Sequence, residues 1–220
     1  QLKQDDSQGR THLPLEARNA IGHGALRDLG FDGSINDIKH AHQVWKSDPR
    51  RGLVAVTGDR GSGKDVLLEQ LKTSFDERVT YAAAPLGHNS EQHALKWLID
   101  VTKISAEPNV ESVIKALQNE PPTVFLLSNI HRLFLRAVSH YQGLDSVLDI
   151  MQATARHHFW VVSFHGPAWS FLNGMKDVGH VGIFQRRIHI GAMKPIELSS
   201  WLKKRTAAAG YTPDFSNLLQ

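Results

Sequence analysis

The sequence contains no cysteine. Disulfides, cysteine–zinc sites, thiol catalysis and iron–sulfur clusters are therefore excluded, and a reducing, cytoplasmic location is expected. Long apolar runs are also missing. The greasiest stretches, Val124–Leu127 and Phe159–Val162, have the length of buried strands, far short of the ~20 residues that span a bilayer. Charge of one sign is scarce: 25 Lys and Arg against 22 Asp and Glu leave a net charge of +3. The resulting pI of 9.2 is too weak an excess to argue for nucleic acid. There is no internal repeat and no low-complexity tract. The polar start QLKQDDSQGR carries no signal peptide and no initiator methionine, so we read the chain as a piece of a longer protein, which could carry a membrane segment elsewhere. What is present, 220 residues of which 41% are hydrophobic and 21% charged, suits one well-filled α/β domain, or a core with a small appendage.

Gly30-Phe-Asp-Gly33 reads as a turn, and Ser34 as the cap of a helix from Ile35 to about Lys46. Ile35, Ile38, Ala41, His42 and Trp45 share one face of that helix. Buried strands are expected at Leu53–Thr57, Val79–Ala83, Thr123–Leu127, Phe159–Phe164 and Arg187–Ile190. Helices are expected at Val66–Leu71, Glu91–Thr102, Val110–Leu117, Leu133–His140, Leu144–Arg156, Pro167–Leu172 and Pro195–Ala209. Strands alternating with helices imply a doubly wound parallel sheet. The Trp residues at 45, 97, 160, 169 and 201 read as core or interface anchors. Among the 13 histidines, His93, His157 and His158 lack carboxylates at ligand spacing, so no histidine metal site is expected.

The strongest motif is Gly58-Asp-Arg-Gly-Ser-Gly-Lys64-Asp65, set between a buried strand and a helix. It follows the phosphate-loop spacing G-x-x-x-x-G-K-[ST] through the lysine. Glycines let the backbone wrap its N–H groups around phosphate oxygens, and the following helix adds its positive end. The candidate nucleotide-binding residues are Gly58, Gly61, Ser62, Gly63, Lys64, Asp65 and Val66, with ATP or ADP and Mg²⁺ as ligands. Asp65 departs from the pattern, because a neutral hydroxyl normally stands there to ligate Mg²⁺. A carboxylate about 4 Å from a phosphate charge costs about 4 kcal/mol at an effective dielectric of ~20 unless a metal intervenes. Asp65 is thus a candidate metal ligand; it could also pair with Lys64 and steady an empty loop.

Phosphate-loop enzymes carry a second strand that ends in acids. Here Thr123–Leu127 ends in Ser128-Asn129. Ser128 removes the acidic partner of Mg²⁺. Asn129 can position a water but cannot accept its proton. Compared with the usual site, carboxylate and hydroxyl have changed places, and a Ser128–Asp65 hydrogen bond is expected.

With these residues the chain resembles the AAA+ ATPase superfamily from Ser34 to about Gly210. It is similar to bacterial members with a large helical insertion after the second phosphate-site strand. The resemblance rests on GDRGSGKD, VFLLSN, FWVVSF with His165, FQRRIHI and KPIELSSWLKKR. It implies a three-layer α/β P-loop fold with strand order 5-1-4-3-2. The implied organisation is a lead-in over 1–33, a nucleotide-binding core over 34–194, and the start of a helical lid over 195–220. It also implies a polar sensor at Ser163 or His165, and an arginine finger at Arg186 or Arg187 acting on a neighbouring subunit together with Ser128 and Asn129. The implied function is an ATP-binding module that couples nucleotide state to conformational change or assembly, with hydrolysis weak or lost. Its partner would be another copy or another subunit; nucleic acid is possible within the family but carried by no motif. The alternative is a scaffold that has lost nucleotide. A P-loop kinase would need an Arg-rich lid, which the sequence does not show.

Overall fold

The computed structural model describes residues 31–50, 52–86, 90–133, 142–174 and 182–191, together with Ser199 and Lys203. The chain divides into two compact units, Phe31–Ala192 and a second made of Gln1–Gly30 with Met193–Gln220. Of the second unit, Ser199 and Lys203 are described, both helical. The expected helix at Pro195–Ala209 otherwise lies outside the described residues, as does nearly all of that at Leu133–His140.

The first unit runs α1 (Asp32–Ser47), β1 (Leu53–Gly58), α2 (Lys64–Leu71), β2 (Arg78–Ala83), α3 (Glu91–Thr102) and α4 (Val110–Asn119). It continues through β3 (Thr123–Ser128), a 3₁₀ turn (Ile130–Leu133), α5 (Gln142–Thr154), β4 (Phe159–His165), α6 (Gly166–Gly174) and β5 (Arg186–Ile190). The sheet order is β2-β3-β4-β1-β5, all parallel, as expected. Every residue of β1 and β3 is buried, which is why both read as unbroken apolar runs rather than alternations. The edge strand β2 is half exposed.

Alternate residues sort the two faces. Val54, Val56, Val124, Leu126, Phe159 and Val161 pack against Ile38, Ala41 and Trp45 of α1 and Leu67, Leu68 and Leu71 of α2. Leu53, Ala55, Phe125, Leu127, Trp160 and Val162 face the side covered by α3 to α6. His158 ties the second layer to the sheet: its Nε2 donates to Leu117 O at 2.8 Å while Nδ1 accepts from Thr123 N at 3.2 Å. Burial pushes its pKa down to about 4, so the neutral ring fills this role near neutral pH.

One boundary differs from expectation. Helix α1 begins at Asp32, not after a Ser34 cap, and Phe31 N-caps it without a side-chain bond. Gly33, read as part of a turn, lies in its first turn, where Asp32 suits the helix dipole. Phe31 O accepts from Ile35 N at 2.8 Å, and the Phe31 ring sits against Gly63, where a methyl group would stand 2.5 Å from Cζ. The helix start is set by this tertiary contact rather than by a local cap.

Gly52 aligns the sheet. It accepts from Trp160 N at 2.7 Å and donates to Ala155 O at 3.1 Å, the oxygen that Trp45 Nε1 also reaches at 2.8 Å. A methyl group at Gly52 would overlap the carbonyls of Ala155 and His158 and stand 2.7 Å from the Trp45 indole nitrogen. Gly33 has nothing within 4 Å of the same position. We therefore predict opposite signs in urea denaturation: Gly52→Ala lowers stability by about 1–3 kcal/mol, and Gly33→Ala raises it by up to about 1 kcal/mol. Equal effects at the two sites would contradict this packing.

Candidate functional site: the phosphate loop and its strand partners

Strands β1, β3 and β4 end together at one edge of the sheet, at Gly58, Ser128 and His165. The chain leaves β1 toward β2 on one side and β4 toward β5 on the other, so the loop after Gly58 sits at a topological switch point, where open α/β sheets bind ligands. Gly61 and Gly63 have φ of 80° and 91°, left-handed values that favour glycine. Gly63 is the N-cap of α2, so the helix opens directly at the loop.

Lys64 lies across that loop. Its Nζ donates to Gly58 O at 2.8 Å, to Asp59 O at 2.6 Å and to Ser62 Oγ at 3.3 Å. Burial pushes the ammonium's pKa down, while the charges of Asp65 and Asp59 pull it back up. The Lys64–Asp65 pair considered from the sequence is not made: the ammonium takes loop carbonyls, and the carboxylate turns toward β3.

There Ser128 Oγ donates to Asp65 Oδ1 at 2.7 Å. Asn129 Nδ2 donates to Asp65 Oδ1 at 3.2 Å, to Oδ2 at 3.3 Å and to Ser128 Oγ at 2.7 Å. Burial pushes the pKa of the Tyr81 phenol on β2 up, and the Asp65 charge adds to the rise. Ser128 is fully buried, so its hydroxyl must be satisfied within the protein. The expected Ser128–Asp65 bond is thus present, with donor and acceptor exchanged relative to the usual site.

Asn129 takes φ of 57°, and its N–H donates to Ser163 Oγ at 2.8 Å. Ser163 therefore braces the end of β3. His165 points the same way two residues on, and its N–H donates to His131 Nδ1 at 3.2 Å. His131, in the 3₁₀ turn, was not singled out in the sequence; the expected strand order makes β3 and β4 neighbours, but the turn that carries this ring to the end of β4 has no sequence signal. Val66 follows Asp65 in the first turn of α2.

Arg186 and Arg187 stand apart from this cluster. They are the first two residues of β5, which starts one residue earlier than the expected Arg187, level with Val54 and Ala55 near the start of β1. Arg186 forms a 2.7 Å ion pair with Asp37 of α1. Arg187 Nε donates to Thr57 Oγ1 at 3.2 Å, and its guanidinium lies 5.4 Å from the Trp169 ring centre.

The loop fits nucleotide phosphates: left-handed glycines, a helix N-terminus and a buried lysine converge there. Magnesium would find a carboxylate oxygen at Asp65: Ser128 Oγ donates to Asp65 Oδ1 and accepts from Asn129 Nδ2, whereas Asp65 Oδ2 accepts only the 3.3 Å bond and could join phosphate oxygens around the ion. Among the described residues no group of three or more His, Asp or Glu gathers to hold a metal, and no helix is long and apolar enough to cross a membrane.

The sequence matches no family model and no curated protein. Its fold does match solved structures. The Aeropyrum pernix ORC1 protein, solved in complex with DNA, aligns with a TM-score of 0.61 at 11% identity over 87% of this chain and 53% of that one. Cdc6p from Pyrobaculum aerophilum aligns with a TM-score of 0.59 at 13% identity, over 81% and 50%. A chain of the E. coli MS115-1 HORMA:CdnC:Trip13 complex aligns at 0.53 and 13% identity, over 94% and 76%. The chain spans about half the length of the ORC1 and Cdc6p chains. At these identities the likeness is one of fold: this is an α/β P-loop fold of the AAA+ type.

The exchanged pair predicts a strongly non-additive cycle in urea denaturation. Asp65→Ser alone should lower stability by about 1–3 kcal/mol, since a buried hydroxyl loses a charged acceptor. Ser128→Asp alone should cost more, because it sets two carboxylates side by side. The double variant restores the bond in the opposite sense and should recover most of the loss, with a coupling of at least ~1.5 kcal/mol. Additive losses would show that residues 65 and 128 do not act as a pair.

Proposed function

We propose that this chain is a nucleotide-binding AAA+-type module that holds ATP or ADP on Gly58, Gly61–Lys64 and the first turn of α2, and hydrolyses ATP weakly or not at all. The observation that carries the reading is the loop itself, with two left-handed glycines opening onto a helix while a buried lysine bridges the mouth. Adenine would lie near Phe31, the residue seated on Gly63 at the start of α1. If Mg²⁺ takes part, it neutralises phosphate charge and is held through Asp65.

Weak hydrolysis follows from the end of β3. Asn129 spends its amide N–H groups on Asp65 and Ser128 and cannot accept a proton, so the residue at the usual position of the general base cannot serve as one. The consequence of binding would be mechanical. The same residues that meet the loop brace the ends of β3 and β4, so phosphate contacts can shift those ends and alter contacts with another copy or another subunit. Arg186 and Arg187 are the groups offered for a neighbouring site, and Arg186 would first have to leave Asp37.

A second reading has its own support. Lys64 makes three hydrogen bonds inside the loop, so the loop is satisfied by its own residues, as a scaffold that no longer binds nucleotide would require. Calorimetric titration with ATP and ADP separates the two. We predict measurable binding that Lys64→Ala weakens at least tenfold, about 1.4 kcal/mol, and turnover near background that rises when Asp65→Thr, Ser128→Asp and Asn129→Glu are combined. No affinity in the natural chain would favour the scaffold; unchanged affinity in Lys64→Ala would place the ligand elsewhere.

A further inference from the structure

Two histidines stand at the strand ends beside the phosphate loop, and a hydrogen bond joins one to the other. His165 ends β4 level with Gly58 in the β1–β4 register. The loop passes directly over this strand end, since a methyl group on Gly166 would stand 2.9 Å from Asp59 Oδ1. The His131 ring lies 5.9 Å from that of His165, centre to centre, and the backbone N–H of His165 donates to His131 Nδ1 at 3.2 Å. That bond fixes the tautomer: Nδ1 is the bare acceptor and the proton sits on Nε2.

The charged surroundings are one-sided. His131 is pushed down to about 4, first by burial, then by the positive charges of His165, Arg132 and Lys64, with Asp65 alone pulling it upward. The groups facing the pair are Asp59, Lys64 and Asp65 from the loop and α2, and Arg132 from the turn. With these surroundings His131 is neutral near neutral pH and serves as an acceptor. An anion on the loop changes the balance. Negative charge favours a proton on Nδ1, and that proton turns the acceptor into a donor facing another donor, the His165 N–H. Two N–H groups in that position need an anion between or beside them.

Resting on the nucleotide-binding reading above, we propose that His131 and His165 form a proton-linked phosphate clamp, in which a bound nucleotide draws a proton onto His131, releases the His165 N–H from it and is then held by both. Lys64 supplies fixed positive charge from the loop; the imidazole pair supplies charge that arrives with the ligand. The released bond is the link between the turn after β3 and the end of β4, so occupancy would be reported directly to those two strand ends.

The test is ATP binding to the whole chain by calorimetry from pH 8 to pH 6, in buffers of different ionisation heat. His131→Asn keeps a carbonyl acceptor for the His165 N–H but cannot take a proton. The natural chain should take up protons on binding, and its affinity should rise over this range by about tenfold more than that of His131→Asn, as one linked proton allows. The same pH profile and proton count in both proteins would overturn the clamp. A variant-free check is an NMR titration of His131 in the natural chain, whose midpoint should rise by about three pH units, into the neutral range, when ADP is bound; a midpoint that stays below about 5 with ADP bound would also overturn it. Absence of ATP binding at every pH would instead remove the nucleotide reading, and this proposal with it.

Discussion

A hydroxyl on β3 donates its one proton to a carboxylate in the first turn of α2. Through that Ser128–Asp65 bond the phosphate loop is tied to the sheet, and other features of the site follow from it. Because Asp65 faces Ser128 and Asn129, it does not pair with Lys64, which is left to bridge the loop carbonyls. Because Ser128 gives its proton to Asp65 and accepts from Asn129, the anionic oxygen offered to a cation is on the carboxylate. Because Asn129 serves the same carboxylate, it stands at the end of β3 in a left-handed conformation, with its N–H turned to Ser163. The usual phosphate-loop site ties the same two elements with the roles reversed, so the exchange conserves the architectural bond while altering the charge that a phosphate meets.

Much of this was legible in the sequence. The runs at Leu53–Thr57, Thr123–Leu127 and Phe159–Phe164 are unbroken and apolar because those strands are covered on both faces, and such runs leave little room for error. The α3 limits were readable because Ser90 precedes an amphipathic stretch and accepts from His93 N, and Thr102 closes it. The exchanged pair was readable because the spacing of the loop and the position of the strand end fix which residues meet.

The rest depended on tertiary contacts that a linear pattern does not carry. Ser34 looked like a cap, but the helix starts earlier because Phe31 is held on Gly63. Arg186 belongs to β5 because β1 supplies hydrogen-bonding partners from Val54 onward, although the edge strand lacks a long apolar run. The positive φ of Asn129 and the bond between His165 and His131 arise where two strand ends meet across the sheet. His131 is one histidine among many until the 3₁₀ turn after β3 brings its ring to the His165 N–H.

The most direct test of the account is a crystal structure of the chain grown with ADP. It should show the β-phosphate accepting from the backbone N–H groups of Gly63 and Lys64, with the Lys64 ammonium moved from Gly58 and Asp59 onto phosphate oxygen. The Ser128–Asp65 bond should persist at about 2.7 Å. ADP bound away from the loop, or Asp65 swung off Ser128 with the pair broken, would contradict the claim that the exchanged pair holds a working phosphate site.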